Sequence, residues 1–215
     1  GGYLAAWARE QMEKGIRTVN MLGCHDGIPL LDLKGLLPVE RIEKLIQTVV
    51  SRGGMVKDLH GKKNIYYQVN AAYFSALGED ERKLLLARAL QLFMPGKPQV
   101  WYLDLFAGKN DHEAVGRSGA GGHKEINRTN LTSRQVEDAL QKQVVKDQLT
   151  LLRMRNSSPA FGPDADMIVK QPAMHLLRVE WRKNSQTAFL DVDLMKYAFQ
   201  IEIVTDGIST KFEQS

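Results

Sequence analysis

Internal disulfides are excluded, because the chain has one cysteine, Cys24, and a lone thiol has no partner within it. Long hydrophobic runs are missing as well: no stretch approaches the ~20 apolar residues that a membrane-spanning helix needs. Charge of one sign never gathers into a tract. The 29 lysines and arginines are interleaved with 25 acidic residues, so a net +4 gives little reason to expect a nucleic-acid partner. Neither an internal repeat nor a low-complexity segment is present. No secretory signal is visible, so sequon matches such as Asn127-Arg128-Thr129 read as chance, and the expected compartment is the cytoplasm.

What is there suffices for a core: 215 residues, 43% hydrophobic and 25% charged, lie in the range of ordinary globular proteins. The chain opens without methionine inside an amphipathic helix pattern (Leu4, Ala5, Trp7, Ala8, Met12), which predicts a start within a longer fold. Arg17 to Leu22 reads as a buried strand running into Gly23-Cys24-His25-Asp26-Gly27. The spacing of Ile42, Leu45 and Ile46 after Pro38 predicts a helix. Gly53 to Lys63 reads as a loop before the aromatic stretch Ile65 to Asn70. A strong helix is expected over Glu79 to Phe93, stopped by Pro95-Gly96, with a second buried strand over Pro98 to Leu105.

Helix followed by apolar strand, seen twice, is the unit of a parallel α/β sheet or barrel. Gly108 to Asn130, with five glycines and no apolar period, reads as a long functional loop, and Ser133 to Met154 as a helix with Ser133 at its N-cap. From about residue 157 the pattern changes to short strands, Met167 to Val169, His175 to Trp181, Thr187 to Val192 and Phe199 to Val204, which predicts a small antiparallel β domain.

The sharpest local feature is His25-Asp26 at the end of a strand, where barrel enzymes collect their catalytic groups. Spacing alone favours a plain turn with a structural histidine. Four ordered blocks change that reading: Val19 to Gly27; Tyr67-Gln68-Val69-Asn70 with Tyr73 to Gly78; Pro98-Gln99-Val100 with Ala107 to Asp111; and Glu125-Ile126-Asn127-Arg128. Together they resemble the C-terminal half of the sucrose phosphorylases, α-glucoside phosphorylases of the α-amylase superfamily (glycoside hydrolase family thirteen).

The resemblance implies an α/β fold: the C-terminal portion of a (β/α)8 TIM barrel, holding its last two strands with their helices over residues 1–156, then an antiparallel β domain over 157–215. It also implies a glycosyltransferase that moves a glucosyl unit to and from phosphate with retention, through a carboxylate nucleophile and a glutamic acid that would lie upstream of Gly1. Asp26 would be the third carboxylate, stabilising the transition state. His25, Arg128, Tyr67 and Gln68 would bind substrate. The implied partners are an α-glucoside, glucose 1-phosphate and inorganic phosphate, with no cofactor and no metal, no nucleic acid and no membrane; a homodimer is open for the full-length protein.

One position departs from the family. Ile65 stands where sucrose phosphorylases carry an aspartate two places before the tyrosine, and Lys62-Lys63 come shortly before it. Two lysines near an acceptor would suit an anion such as glycerate or a sugar phosphate, and a solvated lysine pair explains them equally well. A hydrolase of the same superfamily, or a noncatalytic carbohydrate-binding remnant, are the rival readings, and the fragment alone is expected to be inactive. His112 and His123 fit no compact metal site, Cys24 reads as packing, and Trp101, Tyr102 and Phe106 read as core.

Overall fold

The computed structural model describes residues 2–58, 66–119, 121–162 and 164–214. In chain order its elements are α1 (Gly2–Glu13), β1 (Val19–Asn20), β2 (Ile28–Pro29), α2 (Val39–Ser51), β3 (Met55–Asp58), β4 (Tyr66–Asn70), α3 (Tyr73–Ala76), α4 (Glu81–Phe93), β5 (Lys97–Pro98), α5 (Tyr102–Leu105) and α6 (His112–Ser118). A short 3-10 helix (Gly122–Asn127) precedes α7 (Ser133–Gln141) and α8 (Gln143–Ser157). Then come β6 (Asp166–Ala173), β7 (Leu176–Lys183), β8 (Gln186–Asp193), β9 (Ala198–Thr205) and β10 (Ile208–Gln214). Contacts divide the chain into two compact units, one of Gly1–Asn20, Leu85–Gln99 and Lys146–Ser215, the other of Met21–Leu84 and Val100–Val145.

In the first unit β1 and β5 run parallel, Val19 opposite Lys97 and Asn20 opposite Pro98. The buried Gln91 of α4 binds both strands at once, its amide donating to Asn20 O at 3.0 Å and Gln99 O at 2.8 Å. The five-stranded sheet is an antiparallel meander, β6 to β10 in sequence order. Its period-two pattern is strict on the inner face: Leu177, Val179 and Trp181, then Ala188, Leu190 and Val192, then Phe199, Ile201 and Ile203 are all buried. Trp181 anchors the sheet to α4, its indole N–H donating to Phe93 O at 2.9 Å.

In the second unit α2 lays Ile42, Ile46 and Val49 into a core shared with Leu30, Val69, Ala71 and Ala76. The i, i+4 and i+7 spacing of those three side chains is what makes the segment helical, and burying each contributes about 1.5–3 kcal/mol before entropy. Beneath that helix β4 pairs with β2 and β3, both antiparallel.

Several expectations are corrected by these elements. Arg17 to Leu22 is not a buried strand: only Val19–Asn20 is extended, and Val19 and Met21 are exposed. β1 has a single partner strand among the described residues. The second expected strand, Pro98 to Leu105, is extended only at its first residue and turns helical from Tyr102, because an apolar run this short fits a buried helix turn as well as a strand. Part of the Gly53 to Lys63 loop is a strand, β3.

Two helices stand where one was expected after Ser133. Lys142 is extended (ψ 135°) and separates α7 from α8, and the N-cap is Thr132, which forms a capping box with Gln135. The Gly108 to Asn130 loop carries α6 and the 3-10 helix, and the β region has a fifth strand, β10, that its largely exposed, polar sequence hid.

Candidate functional site

Gly23 to Gly27 is a tight loop of the second unit, held by side chains from three distant segments of that unit. Asn127 Nδ2 donates to Cys24 O at 2.6 Å, Arg128 Nε to His25 O at 2.9 Å, and Asn70 Nδ2 to Asp26 O at 2.9 Å. Three consecutive backbone carbonyls are thus satisfied from outside the loop. At its start the buried Asp104 carboxylate accepts from Gly23 N–H at 3.0 Å. Within the loop, Asp26 N–H points at Cys24 Sγ (3.4 Å) and Gly27 N–H at Cys24 O (3.3 Å).

Gly27 closes the turn with φ at +90°, and a Cβ there would lie 2.4 Å from Val69 O. Both the backbone angle and the contact demand glycine.

This frame presents Asp26 between two partners. Its Oδ1 is 3.3 Å from Arg128 Nη2 and its Oδ2 3.2 Å from His25 Nε2, with Arg128 Nη1 a further 3.8 Å from Glu125 Oε1. The carboxylate is 53% exposed, so it can meet a ligand, while Arg128 is mostly covered at 29%. His25 lies 6.0 Å from Trp101, ring centre to ring centre.

Trp101 and Tyr102 do more than fill core. Both are half-buried; the indole N–H of Trp101 donates to Asn127 O at 3.4 Å, and the Tyr102 hydroxyl donates to Thr129 O at 2.6 Å. They therefore pin the backbone that carries Arg128. Burial raises the Tyr102 phenol above its ordinary value, which keeps it a donor. Asp111 completes the support: its carboxylate accepts from Ala114 N–H at 2.8 Å and from the Thr129 hydroxyl at 3.0 Å. The Ala114 amide, more than Thr129, holds the Asp111 carboxyl below the usual carboxylate range, against the opposing effect of burial.

Of the residues named from sequence, the structure brings Asp26, His25 and Arg128 together. Gln68 is near but buried, its amide donating to Asn70 Oδ1 at 3.4 Å, so it braces the asparagine that holds the loop and does not face solvent. Tyr67 lies in β4 and its side chain is outside the described residues, as are Lys62, Lys63 and Ile65 altogether. Asn70 and Asn127 stand in the quoted blocks without a role of their own, and Asp104 stands in none. For Asn70 and Asp104 the signal is a polar residue between apolar ones, Val69-Asn70-Ala71 and Leu103-Asp104-Leu105, whereas Asn127, between Ile126 and Arg128, offers none; all three are at most 2% exposed.

Cys24, His25 and Asp26 each bring one ligand-type atom within 4.8 Å of the others. The Arg128 guanidinium already lies against Asp26, so a metal cation would be repelled there, and the donor set suits an uncharged polyhydroxy ligand better.

No family model matches the chain. It is 52% identical over 214 residues to the sucrose 6(F)-phosphate phosphorylase of Ilumatobacter coccineus, covering 95% of this chain and 40% of that protein. It is 34% identical over 197 residues to the glucosylglycerol phosphorylase of Marinobacter adhaerens, covering 89% and 40%. Among solved structures, the sucrose 6F-phosphate phosphorylase from Thermoanaerobacter thermosaccharolyticum superimposes with a TM-score of 0.86 at 31% identity, over 98% of this chain and 45% of that one. The chain spans about two fifths of the length of the curated relatives it matches. No helix among the described residues is long and apolar enough to cross a membrane. In sequence and in fold, the chain is thus similar over nearly all of its length to part of the sucrose 6(F)-phosphate phosphorylases.

Proposed function

We propose that the full-length protein is a retaining α-glucoside phosphorylase and that this chain supplies the wall of its glucosyl site that carries Asp26. The observation behind the proposal is the Asp26 carboxylate set between His25 and Arg128 on a loop whose carbonyls are clamped. An oxocarbenium-like transition state develops positive charge on the sugar ring. A fixed anion binds that state better than the neutral ground state, and the clamps mean that little reorganisation is needed during reaction. In this reading Arg128 aligns Asp26 and His25 donates to a sugar hydroxyl. The attacking carboxylate and the general acid come from the part of the relatives' length that this chain does not span.

Residues 1–156 then belong to the catalytic barrel and 157–215 to the C-terminal domain. The substrates are an α-glucoside, glucose 1-phosphate and inorganic phosphate, in a cytoplasmic enzyme. For the acceptor we take a sugar phosphate over glycerate or a neutral sugar. The 52% identical relative is named for sucrose 6(F)-phosphate, and Lys62-Lys63 give the adjacent sequence two positive charges.

The test is to give the full-length protein glucose 1-phosphate with fructose 6-phosphate, fructose or glycerate and to measure phosphate release. Fructose 6-phosphate should exceed the other acceptors in kcat/KM by at least about tenfold. Phosphate release matched by free glucose, with no glucoside formed, would assign a hydrolase, and tight glucose binding without turnover a carbohydrate-binding remnant; either result overturns the proposal.

A further inference from the structure

The unit formed by residues 1–20, 85–99 and 146–215 contains a cavity of about 660 Å³ that takes no part in the site around Asp26. Among the described residues, those lining it include Arg17, Lys97 and Arg155 and no aspartate or glutamate. A cavity with three cations and no acid carries a positive potential that an anion would relieve.

Arg155 is the informative group. Its Nε donates to Leu92 O at 2.9 Å, and its guanidinium carbon sits 4.0 Å over the Phe161 ring. Those two contacts fix the plane of the fork and leave its two terminal nitrogens without a carboxylate among the described residues. Burial lowers its pKa to about 10, the direction expected for a cation whose desolvation no anion offsets.

The walls are held firmly. Phe161 packs edge-on against Phe93 with centroids 5.0 Å apart, and lies 5.9 Å from the Trp181 ring, itself tied to Phe93 O. At the strand ends the Thr18 hydroxyl donates to Pro95 O at 3.2 Å and Lys97 N–H to Thr18 O at 2.8 Å. A planar fork held on an aromatic ring matches the oxygens of a phosphate group, lysine adds a point charge, and the volume falls within the range of ordinary small-ligand sites.

We propose that this cavity is a second, noncatalytic site for a phosphate group, carried by inorganic phosphate or by a phosphorylated sugar, with Arg155 as its fork and Arg17 and Lys97 as flanking charges. The proposal stands apart from the reaction assigned to Asp26 and does not depend on it.

Calorimetric titration of the full-length protein with inorganic phosphate, and separately with glucose 6-phosphate, tests the site in wild type, R17Q/K97Q and R155K. Arg17 and Lys97 are exposed, so the double variant should fold. R155K keeps the charge and loses the fork. Both variants should weaken binding at this site at least about tenfold, while kcat and the KM for phosphate in phosphorolysis stay within about twofold of wild type. Tighter binding of glucose 6-phosphate identifies a phosphorylated sugar as the ligand, and the reverse order identifies the inorganic ion. Unchanged isotherms in R17Q/K97Q, or a KM for phosphate that rises in step with lost binding, overturn the proposal. The isotherms can be compared whether or not phosphorolysis is found.

Discussion

The side-chain amide of Asn127 donates to the backbone carbonyl of Cys24 at 2.6 Å across 103 positions of sequence, and so joins the two loops that carry Arg128 and Asp26. Asn127 is 1% exposed, so the bond sits in a low-dielectric setting where losing it leaves the Cys24 carbonyl only the long, 3.3 Å contact from Gly27 N–H.

Asn127→Ala should therefore cost about 1–3 kcal/mol of stability, read as a lowered denaturation midpoint. In the full-length enzyme it should also reduce kcat/KM by up to about a hundredfold, since a small displacement of positioned groups is enough for that. A variant with normal kcat/KM would show that the clamp does not position Asp26.

Asp26→Asn tests the carboxylate itself. The side chain is half in solvent and its ion pair is not a large source of stability, so the thermal midpoint should stay near wild type. Turnover should fall by about 10²–10³, the usual effect of removing one preorganised electrostatic group. Turnover within a few fold of wild type would remove Asp26 from the reaction.

Gly27→Ala should be far more damaging than Gly35→Ala. Both residues have positive φ, +90° and +82°, but a Cβ at Gly27 meets Val69 O at 2.4 Å whereas one at Gly35 meets nothing within 4 Å. The Gly35 change should cost about 1 kcal/mol of backbone strain, and the Gly27 change clearly more, with lost activity. Equal midpoints for the two variants would contradict the close approach of the loop to β4.

Asp111 gives a pH dependence with a definite sign. Its folded pKa is depressed below the ordinary 3.8, so the stabilisation it gives α6 is fully present above that value and is lost as pH falls through the lower, folded value. Hydrogen exchange at the Ala114 amide should lose protection across that acid window in wild type. In Asp111→Asn the window should be absent; a wild-type profile in that variant would rule out Asp111 as the cause.

How much of this was legible beforehand differs from element to element. The sheet strands β6 to β9 could be read because side chains on a half-buried sheet alternate, and α2 and α4 because their apolar residues recur at helical spacing. β10 escaped because it is an edge strand with an exposed, polar sequence, and α5 because four residues carry no period long enough to separate helix from strand.

At the site, His25, Asp26 and Arg128 were chosen by motif, and their meeting is decided by bonds that span 102 and 103 positions. The asparagines that arrange the meeting, and the support that Trp101 and Tyr102 give to Arg128, left no periodic trace.

The sequence by itself determined the chemical groups, the alternation that builds the β sheet, and the glycine that lets the chain turn after Asp26. Only the tertiary structure decided that three carbonyls of that turn are held by Asn127, Arg128 and Asn70, and that Arg155 faces a cavity with cations and no acid. The physical reason is range: periodicity and turn chemistry act over a few residues, whereas a side chain bonded to a distant carbonyl is selected only when the whole fold brings the two within 3 Å.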